Sequence, residues 1–555
     1  GGTRGGAEGR GGRVTAVATT WLPSTEVRRV ETHREPSVVT DMERLGELSD
    51  GDAVMAALGA LPEKYLEWIE RQRAIALGSE ERRAARDALM DQADTARRRI
   101  ASGIGRLRED AEVREAFCLA NRAMAMAALK RSPERYPPGG ERPSWRLFQL
   151  AFVLLCIDGA SDDEHPDREN VELIFFPTGG GKTEAYLGLI AFMVLLRRLR
   201  GQKRPDAGLG VAVLLRYTLR LLTLDQLGRA ATLMCALETL RLRDPKRLGD
   251  VRFAVGLWVG RSATANTMSA VAKAITDYKN NSSQKTESPF PLPTCPWCGQ
   301  ELGRQSLTIG PTRAKPTVVV VGCQNIHCDF STRSNPEGLP VLFVDEQVYR
   351  ELPAFIVATV DKFAMLPWRG ETGMLFGRVQ ARSGREFFGP MDKIGRDAER
   401  LPEGLRPPEL IVQDELHLIS GPLGTMVGLY ETAIDALCRR QAADGRSLGP
   451  KIVASTATVR RASQQVEALF GRKAMSLFPP PGVDDSETWF ARVDHEKPGR
   501  LYLGVAAPGR SMKALLLRVY VDLLSAAARV YDPKSVPGQT AGQTAGQTAG
   551  QTAGQ

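Results

Sequence analysis

The 555-residue sequence predicts an α/β fold in which helices cover both faces of a parallel sheet. Short apolar runs alternate with helical patterns through the middle of the chain, which is typical of such a sheet. A region rich in Ala, Leu, Arg and Glu precedes this alternation, and a segment with four closely spaced cysteines interrupts it. The length predicts about three to four domains.

The composition excludes a membrane-spanning protein. Hydrophobic residues make up 43% of the chain and charged residues 25%, as in soluble globular proteins. The longest apolar run, LFQLAFVLLCIDG, is shorter than the ~18 residues that a membrane span needs and predicts a buried element. The N-terminus lacks the pattern of a secretory signal, so we expect a cytoplasmic protein. The net charge of +9 is compatible with a polyanionic partner.

Two segments precede the sheet. Residues 1–38 are rich in Gly and Arg and have no periodicity, which predicts disorder. Residues 39–135 form a predicted helical domain. Its apolar residues fall at helical spacing between charges, as at Val113, Ala116, Phe117, Ala120 and Met124. The proline-rich stretch RSPERYPPGGERPSW ends this domain.

The sheet is predicted from six apolar runs: VELIFFP, GVAVLLRY, VRFAVGLWV, AFIVATV, ELIVQDE and KIVASTAT. They fall within residues 136–279 and 346–470, which we interpret as the two halves of one α/β lobe. Polar residues or glycines follow most of the runs. Because ligands bind at the carboxyl ends of the strands in open α/β sheets, we expect these residues to line one site.

The segment FFPTGGGKTEAY has the layout of a phosphate-binding loop between a strand and a helix. The turn of this predicted ATP-binding loop consists of Thr178, Gly179, Gly180 and Gly181. Its backbone N–H groups and the following helix N-terminus would face the phosphates. Lys182 would reach the β- and γ-phosphates, and Thr183 would bind Mg²⁺ through its hydroxyl. Phe176 replaces the first glycine of the strict pattern, and a glycine turn without a ligand is the alternative.

An acidic strand end, PELIVQDELHLISG, supplies the carboxylates that a nucleotide hydrolase needs. Asp414 would bind Mg²⁺ through water, and Glu415 would act as the general base on the attacking water. His417 would couple this site to the next motif, IVASTATV, in which Thr456 and Thr458 flank an alanine. The alternative is an ordinary acidic strand end.

Four cysteines within residues 280–345 have the spacing of a zinc ribbon: Cys295, Cys298, Cys323 and Cys328. Two turns with two thiolates each predict a closed, structural zinc site. A redox pair is the alternative for the first two cysteines, and His327 could replace the last ligand. The other cysteines lie singly in apolar patterns and are interpreted as reduced core residues.

The motifs and their order resemble superfamily 2 helicases, and the segments FFPTGGGKTEAYLGL, LRYTLRLLTLDQ, GLWVGRSATANT, ATVDKFA, QDELHLISGPLG and STATV resemble the helicase family of the DISARM anti-phage defence system. The resemblance runs from the helical region to about Asp532. It implies a RecA-like lobe and an ATP-dependent DNA helicase or translocase that acts on foreign DNA. It also implies a companion subunit of the same system, DrmB.

The resemblance to superfamily 2 helicases also implies further contact residues. The stretch RYTLRLLTLDQ stands where those helicases contact the nucleic-acid backbone, through Arg216, Thr218, Arg220 and Gln226. Thr359 and Lys362 match a phosphate-gripping motif. Phe148 and Gln149 lie upstream of the loop, as in the adenine-recognition motif. Surface cations and core aromatics are the alternative interpretation.

Helicases of this class have a second RecA-like lobe with an arginine finger. Residues 471–532 are expected to be a linker and the possible start of that lobe, and residues 533–555, a Gly-Gln-Thr-Ala repeat, a flexible tail. We therefore expect an N-terminal part of a helicase that binds ATP and hydrolyses it poorly on its own. One alternative is a DNA-binding or scaffolding subunit that uses ATP as a switch, and another is an inert truncation product.

Overall fold

The structure is a computed structural model, and it describes residues 22–176, 180–201, 208–217, 220–260, 263–280, 287–312, 314–442, 444–456, 461–484, 486–506 and 509–530. For residues 220–224 it describes only the backbone. The chain divides into two compact units, one of residues 30–493 and one of residues 1–29 with 494–555. Among the described residues, no helix is both long enough and apolar enough to cross a membrane.

The α-helices of the described residues are α1 (Met42–Leu45), α2 (Gly51–Leu58), α3 (Ala60–Arg73), α4 (Glu80–Glu109), α5 (Ala111–Arg131), α6 (Leu147–Ser161), α7 (Lys182–Arg200), α8 (Arg220–Arg243), α9 (Pro245–Leu248), α10 (Met268–Asn280), α11 (Asp345–Glu351), α12 (Gly421–Cys438), α13 (Ala462–Phe470) and α14 (Met512–Val530).

The strands are β1 (Ser24–Val27), β2 (Arg29–Thr32), β3 (Val171–Phe175), β4 (Val213–Tyr217), β5 (Val255–Trp258), β6 (Leu307–Pro311), β7 (Pro316–Val321), β8 (Val341–Leu342), β9 (Phe355–Thr359), β10 (Ala381–Ser383), β11 (Glu386–Phe388), β12 (Glu399–Arg400), β13 (Leu410–Gln413), β14 (Arg440–Gln441), β15 (Ser447–Leu448), β16 (Lys451–Thr456), β17 (Met475–Phe478), β18 (Glu487–Thr488), β19 (Ala491–Asp494) and β20 (Arg500–Leu503).

The predicted helical region is helical. The Asp110 side chain accepts hydrogen bonds from the first backbone N–H groups of α5, which fixes where that helix begins. The five apolar residues at helical spacing in α5 are buried, as predicted. Helix α4 packs on α6, and it does so closely at Gly103, where a Cβ atom would lie 2.0 Å from the Leu154 carbonyl oxygen. Helix α6, the longest apolar run, is buried along its whole length.

The core of the larger unit is an eight-stranded sheet in the order β17-β3-β16-β13-β4-β9-β5-β8. All neighbouring strands are parallel, as the sequence predicts. Each of the six predicted runs contains one strand of this sheet. The two other strands are β8, which is only two residues long, and β17, which falls in the segment predicted to be a linker.

The strand order determines which segments become neighbours. Strands β3, β16, β13 and β4 lie side by side and run in the same direction. The glycine turn follows β3, the acidic segment follows β13, and Thr456 is the last residue of β16. All three therefore lie at the same edge of the sheet, although they are far apart in sequence.

The segment that interrupts the alternation contains the antiparallel hairpin of β6 and β7. The Gln347 side chain of α11 receives a hydrogen bond from the Val319 N–H and donates one to the Val319 carbonyl oxygen. The cysteine-bearing turns pack against buried aromatic rings, and the Trp297 ring meets the Phe330 ring edge to face. The insertion is thus joined to the lobe through α11.

In the smaller unit, β1 pairs with β20 in antiparallel fashion, and α14 follows. Strands β1 and β2 correct the prediction that residues 1–38 are disordered, because ordered structure begins earlier than the composition suggested. In each of these strands, STEV and RVET, two β-branched residues stand at alternate positions, which favours extended backbone despite the charges. The Gly-Gln-Thr-Ala repeat lies outside the described residues.

Candidate functional site

The glycine turn after β3 leads directly into α7. Gly181 has φ +89°, a left-handed backbone conformation that favours glycine, and α7 begins at Lys182. A Cβ atom on Gly181 would lie 2.6 Å from Gln149 Nε2, so a side chain there would also displace the Gln149 amide. The buried Lys182 ammonium group donates a hydrogen bond to the Phe176 carbonyl oxygen at 2.6 Å. Pro177, Thr178 and Gly179 lie outside the described residues.

Residues at the start of α6 hold this turn from the side. Gln149 Nε2 donates to the Gly181 carbonyl oxygen at 2.8 Å, and the Arg146 guanidinium donates to that of Gly180. Phe148 is fully buried and stacks on Phe176, with 4.0 Å between the ring centroids. Phe148 and Gln149 therefore position the turn. That they recognise adenine stays a prediction.

The Tyr186 hydroxyl connects the turn to the acidic strand end. It lies 3.3 Å from the Thr183 hydroxyl oxygen and donates to Asp414 Oδ2 at 2.9 Å. The Tyr217 hydroxyl, at the end of β4, is 2.9 Å away. Burial raises the pKa of Tyr186 well above its ordinary value, so the phenol stays protonated and able to donate. Thr183 and Asp414, both predicted to bind Mg²⁺, thus contact the same hydroxyl.

The acidic segment turns sharply after β13. Glu415 has φ +50°, and its N–H donates to Asp414 Oδ1 at 2.9 Å. Burial and the neighbouring Asp414 raise the pKa of Glu415. Burial lowers the pKa of Lys182, whereas Glu415 and Asp414 oppose that shift. The predicted base, metal ligand and phosphate-binding cation therefore interact electrostatically within one site.

His417 lies between two predicted motifs. Its Nδ1 is 3.4 Å from Glu415 Oε2 and 3.3 Å from the Thr456 hydroxyl oxygen at the end of β16. His417 thus contacts both motifs, and its coupling role stays a prediction. Thr458 lies outside the described residues.

Three residues that were predicted to contact nucleic acid are buried instead. Arg216 is fully buried and pairs with Glu431 of α12 at 2.5 Å. Thr359 is fully buried as well, and the Lys362 ammonium group is 2.6 Å from Asp345 Oδ2. Their placement does not support a contact with a phosphate backbone, because these side chains are enclosed and both cations are already neutralised.

The remaining predicted contacts are only partly described. Gln226 is half-buried on α8, whereas Thr218 and the side chain of Arg220 lie outside the described residues. Sequence analysis missed Tyr186 and Tyr217, which complete the site. The spacing carried a signal for Tyr186, because a residue three positions after Thr183 lies on the same helix face.

The four predicted zinc ligands come together. Their sulfur atoms all lie within 4.8 Å of one another, with 3.5 Å between Cys298 and Cys323 and 4.0 Å between Cys295 and Cys328. A tetrahedral zinc site with Zn–S bonds of about 2.3 Å has sulfur atoms ~3.8 Å apart, so the cluster fits such an ion. The hydrogen bond with Cys328 lowers the pKa of the Cys295 thiol to about 6.

The fold and this site define a mixed α/β protein, in which residues of the phosphate-loop type meet a carboxylate pair at one edge of a parallel sheet. The chain is 40% identical over 417 residues to the DISARM protein DrmA of Bacillus paralicheniformis, and the match covers 71% of this chain. The resemblance to a DISARM protein family that the motifs indicated is thus confirmed, and the aligned part of the chain is related to DrmA. The match covers 36% of DrmA, so the chain spans about a third of that protein's length.

Other comparisons add less. No family model matches the chain. Two solved structures of the DUF1998 helicase MrfA are similar, one bound to DNA and one bound to DNA and AMPPNP. They share 14% and 13% sequence identity, cover 64% and 72% of this chain and 27% and 34% of their own, and each has a TM-score of 0.29.

Proposed function

We propose that this chain carries the ATP site of a helicase-type ATPase that belongs to an anti-phage defence system. The observation that carries the proposal is the Tyr186 hydroxyl, which contacts both Thr183, in the first turn of α7, and Asp414 of the acidic strand end. The relationship to DrmA supports the defence role. That the whole protein acts as a helicase-type ATPase is likewise proposed.

Each residue of the site has a role that its position supports. Lys182 neutralises the β- and γ-phosphates of ATP after its ammonium group leaves the Phe176 carbonyl oxygen. Thr183 and Asp414 would hold Mg²⁺, which supplies charge neutralisation on the phosphates. Glu415 accepts the proton of the attacking water. His417 relays the state of Glu415 to Thr456 through its contacts with both residues.

The proposed nucleic-acid contact is narrower than the sequence motifs suggested. Arg220 and Gln226 lie in the first turns of α8, which follows β4, and they remain candidates for contacts with backbone phosphates. Thr218 lies outside the described residues and remains a candidate from its position in the sequence motif alone. The net charge of +9 favours a polyanion. We propose DNA as the nucleic acid and a DrmB-like companion subunit as the protein partner. In the same proposal, the four cysteines hold a structural Zn²⁺.

Two substitutions test the ATP site. Lys182→Ala should reduce ATP binding severely because the phosphates lose their principal cation. Glu415→Gln should leave binding intact and abolish turnover, since only the base is lost. Binding is measured by titration calorimetry with Mg-ATP, and turnover by phosphate release with and without DNA. Lys273→Ala and Glu467→Gln are controls, because both side chains are exposed on helices.

The outcomes separate the candidate functions. Equal losses of binding in both variants would contradict the assigned roles. Binding of ATP without turnover, with DNA present, would favour the ATP-switched scaffold.

A further inference from the structure

A second cavity lies away from the ATP site and has a volume of about 360 Å³. It lies between α11 and the 3-10 segment Val360–Trp368 that follows β9. Both elements are in the larger unit. None of its lining residues belongs to the proposed ATP site.

A buried carboxylate lines the cavity, and one of its oxygens has no hydrogen-bond partner in the part of the chain that the structure describes. Asp345 lines the cavity and is only 5% exposed. Its Oδ2 accepts a hydrogen bond from Lys362 at 2.6 Å, whereas its Oδ1 has no hydrogen-bond partner among the described residues. A buried acceptor without a donor costs free energy, so a ligand that donates a hydrogen bond to Oδ1 would recover it.

The charges around the cavity favour a cationic donor. Carboxylates outnumber cations among the lining side chains, with five against three. Two of the cations are already neutralised, since Lys362 pairs with Asp345 and Arg350 forms two hydrogen bonds with Asp392, at 2.7 and 2.8 Å. Burial raises the pKa of Asp345 although Lys362 and, less strongly, Arg369 oppose this, so a further cation would stabilise the ionised carboxylate.

The rest of the cavity is suited to a short aliphatic stem. Met268, Met365 and Met374 line it. Thioether side chains are flexible and pack against varied apolar shapes. Glu346, Glu371 and Glu386 lie in the same lining, where a second positive group of a longer ligand would find a partner.

We propose that this cavity binds an organic cation, namely an ammonium or guanidinium group on a short methylene stem. The charged group donates to Asp345 Oδ1, and the stem packs against the methionines. The cation is either a free small molecule or an arginine or lysine side chain of a partner chain. The proposal does not depend on ATP binding, because it rests on a separate set of residues.

The experiment uses agmatine as the free cation and N-acetyl-arginine amide as the side-chain probe. Binding to the whole chain is measured by titration calorimetry, with 1,4-butanediol as an uncharged ligand of similar length. Agmatine or the arginine amide should bind and the diol should not. Tighter binding of agmatine supports the free cation as the source, and tighter binding of the arginine amide supports a partner's side chain.

Substitutions locate the binding. Asp345→Asn should weaken it about tenfold or more, because the negative charge opposite the cation is lost and only a neutral acceptor remains. Should Asp345→Asn fail to fold, the double variant Glu371→Gln with Glu386→Gln removes two lining charges and should weaken binding severalfold. Glu467→Gln, far from the cavity in sequence and exposed, is the control. Binding of neither probe, or affinities unchanged in these variants, would overturn the proposal.

Discussion

Tyr186 shows how much one side chain contributes to this site. Its ring is fully buried in α7, and its hydroxyl meets Thr183, Asp414 and Tyr217. Asp414 is itself buried, and its carboxylate oxygens accept hydrogen bonds from the Tyr186 hydroxyl and the Glu415 N–H. The tyrosine thus orients the carboxylate that is proposed to hold the metal.

Tyr186→Phe tests this orienting role, because it removes the hydroxyl and keeps the ring. A hydrogen bond to a charged group contributes about 1.5–3 kcal/mol, so we expect weaker Mg²⁺-dependent binding of ATP and a lower free energy of unfolding. Magnesium titration at fixed ATP measures the first effect, and thermal unfolding measures the second. Tyr430→Phe is the matched control, since its hydroxyl donates to the Val360 carbonyl oxygen elsewhere. Equal magnesium dependence in both variants would contradict the role.

Residue by residue, the sequence predicted which side chains meet at the proposed ATP site better than it predicted the surroundings of the proposed nucleic-acid contacts. Lys182, Thr183, Asp414 and Glu415 could be grouped because each follows or ends a buried strand in a fixed order. Arg216 lies within β4, and the same reasoning did not predict to which face of the sheet its side chain points. Its partner Glu431 is 215 residues away, and a pairing between two such distant buried ions has no local signal.

At the scale of elements, the strands with the clearest apolar runs were predictable and the short ones were not. Six runs of β-branched and aliphatic residues corresponded to strands of the parallel sheet. Strand β8 has two residues, too few for any periodicity, and its pairing with β5 depends on the tertiary fold. Tertiary contacts therefore decided the edges of the sheet, whereas local sequence decided its centre.

The cysteine insertion gives a prediction for an element. One zinc ion per chain should be found by elemental analysis, and Cys295→Ser should lower the occupancy and loosen the insertion, because binding of structural zinc contributes free energy to folding. Limited proteolysis within residues 287–342 measures the loosening. Cys118→Ser is the control, since that thiol lies on α5 outside the cluster. Full occupancy in Cys295→Ser, or no zinc in the unmodified protein, would contradict the zinc site.

At the scale of the whole molecule, nucleic-acid binding should differ most clearly between the variants Arg220→Ala and Lys362→Ala. Arg220→Ala should weaken binding to all sequences alike. It should also make the negative slope of log affinity against log salt shallower by about one unit. Lys362→Ala should leave that slope unchanged and lower the unfolding temperature, because Asp345 would lose its buried partner.

Both variants are measured with single- and double-stranded oligonucleotides over a salt series. A smaller slope in Lys362→Ala would return this lysine to the nucleic-acid surface and show that the Asp345 pair opens on binding. An unchanged slope in Arg220→Ala would show that Arg220, at the start of α8 after β4, does not contact the phosphate backbone.

The attachment of the glycine turn to α6 has a mechanical consequence. Gln149 and Arg146 hold the backbone oxygens of Gly181 and Gly180, and α6 is enclosed along its whole length with α4 packed against it. A displacement of the turn on phosphate binding must either break these two attachments or carry α6 with it. The N-terminal helices lie outside the site, but one of them, α4, packs against α6 and therefore resists movement of the turn.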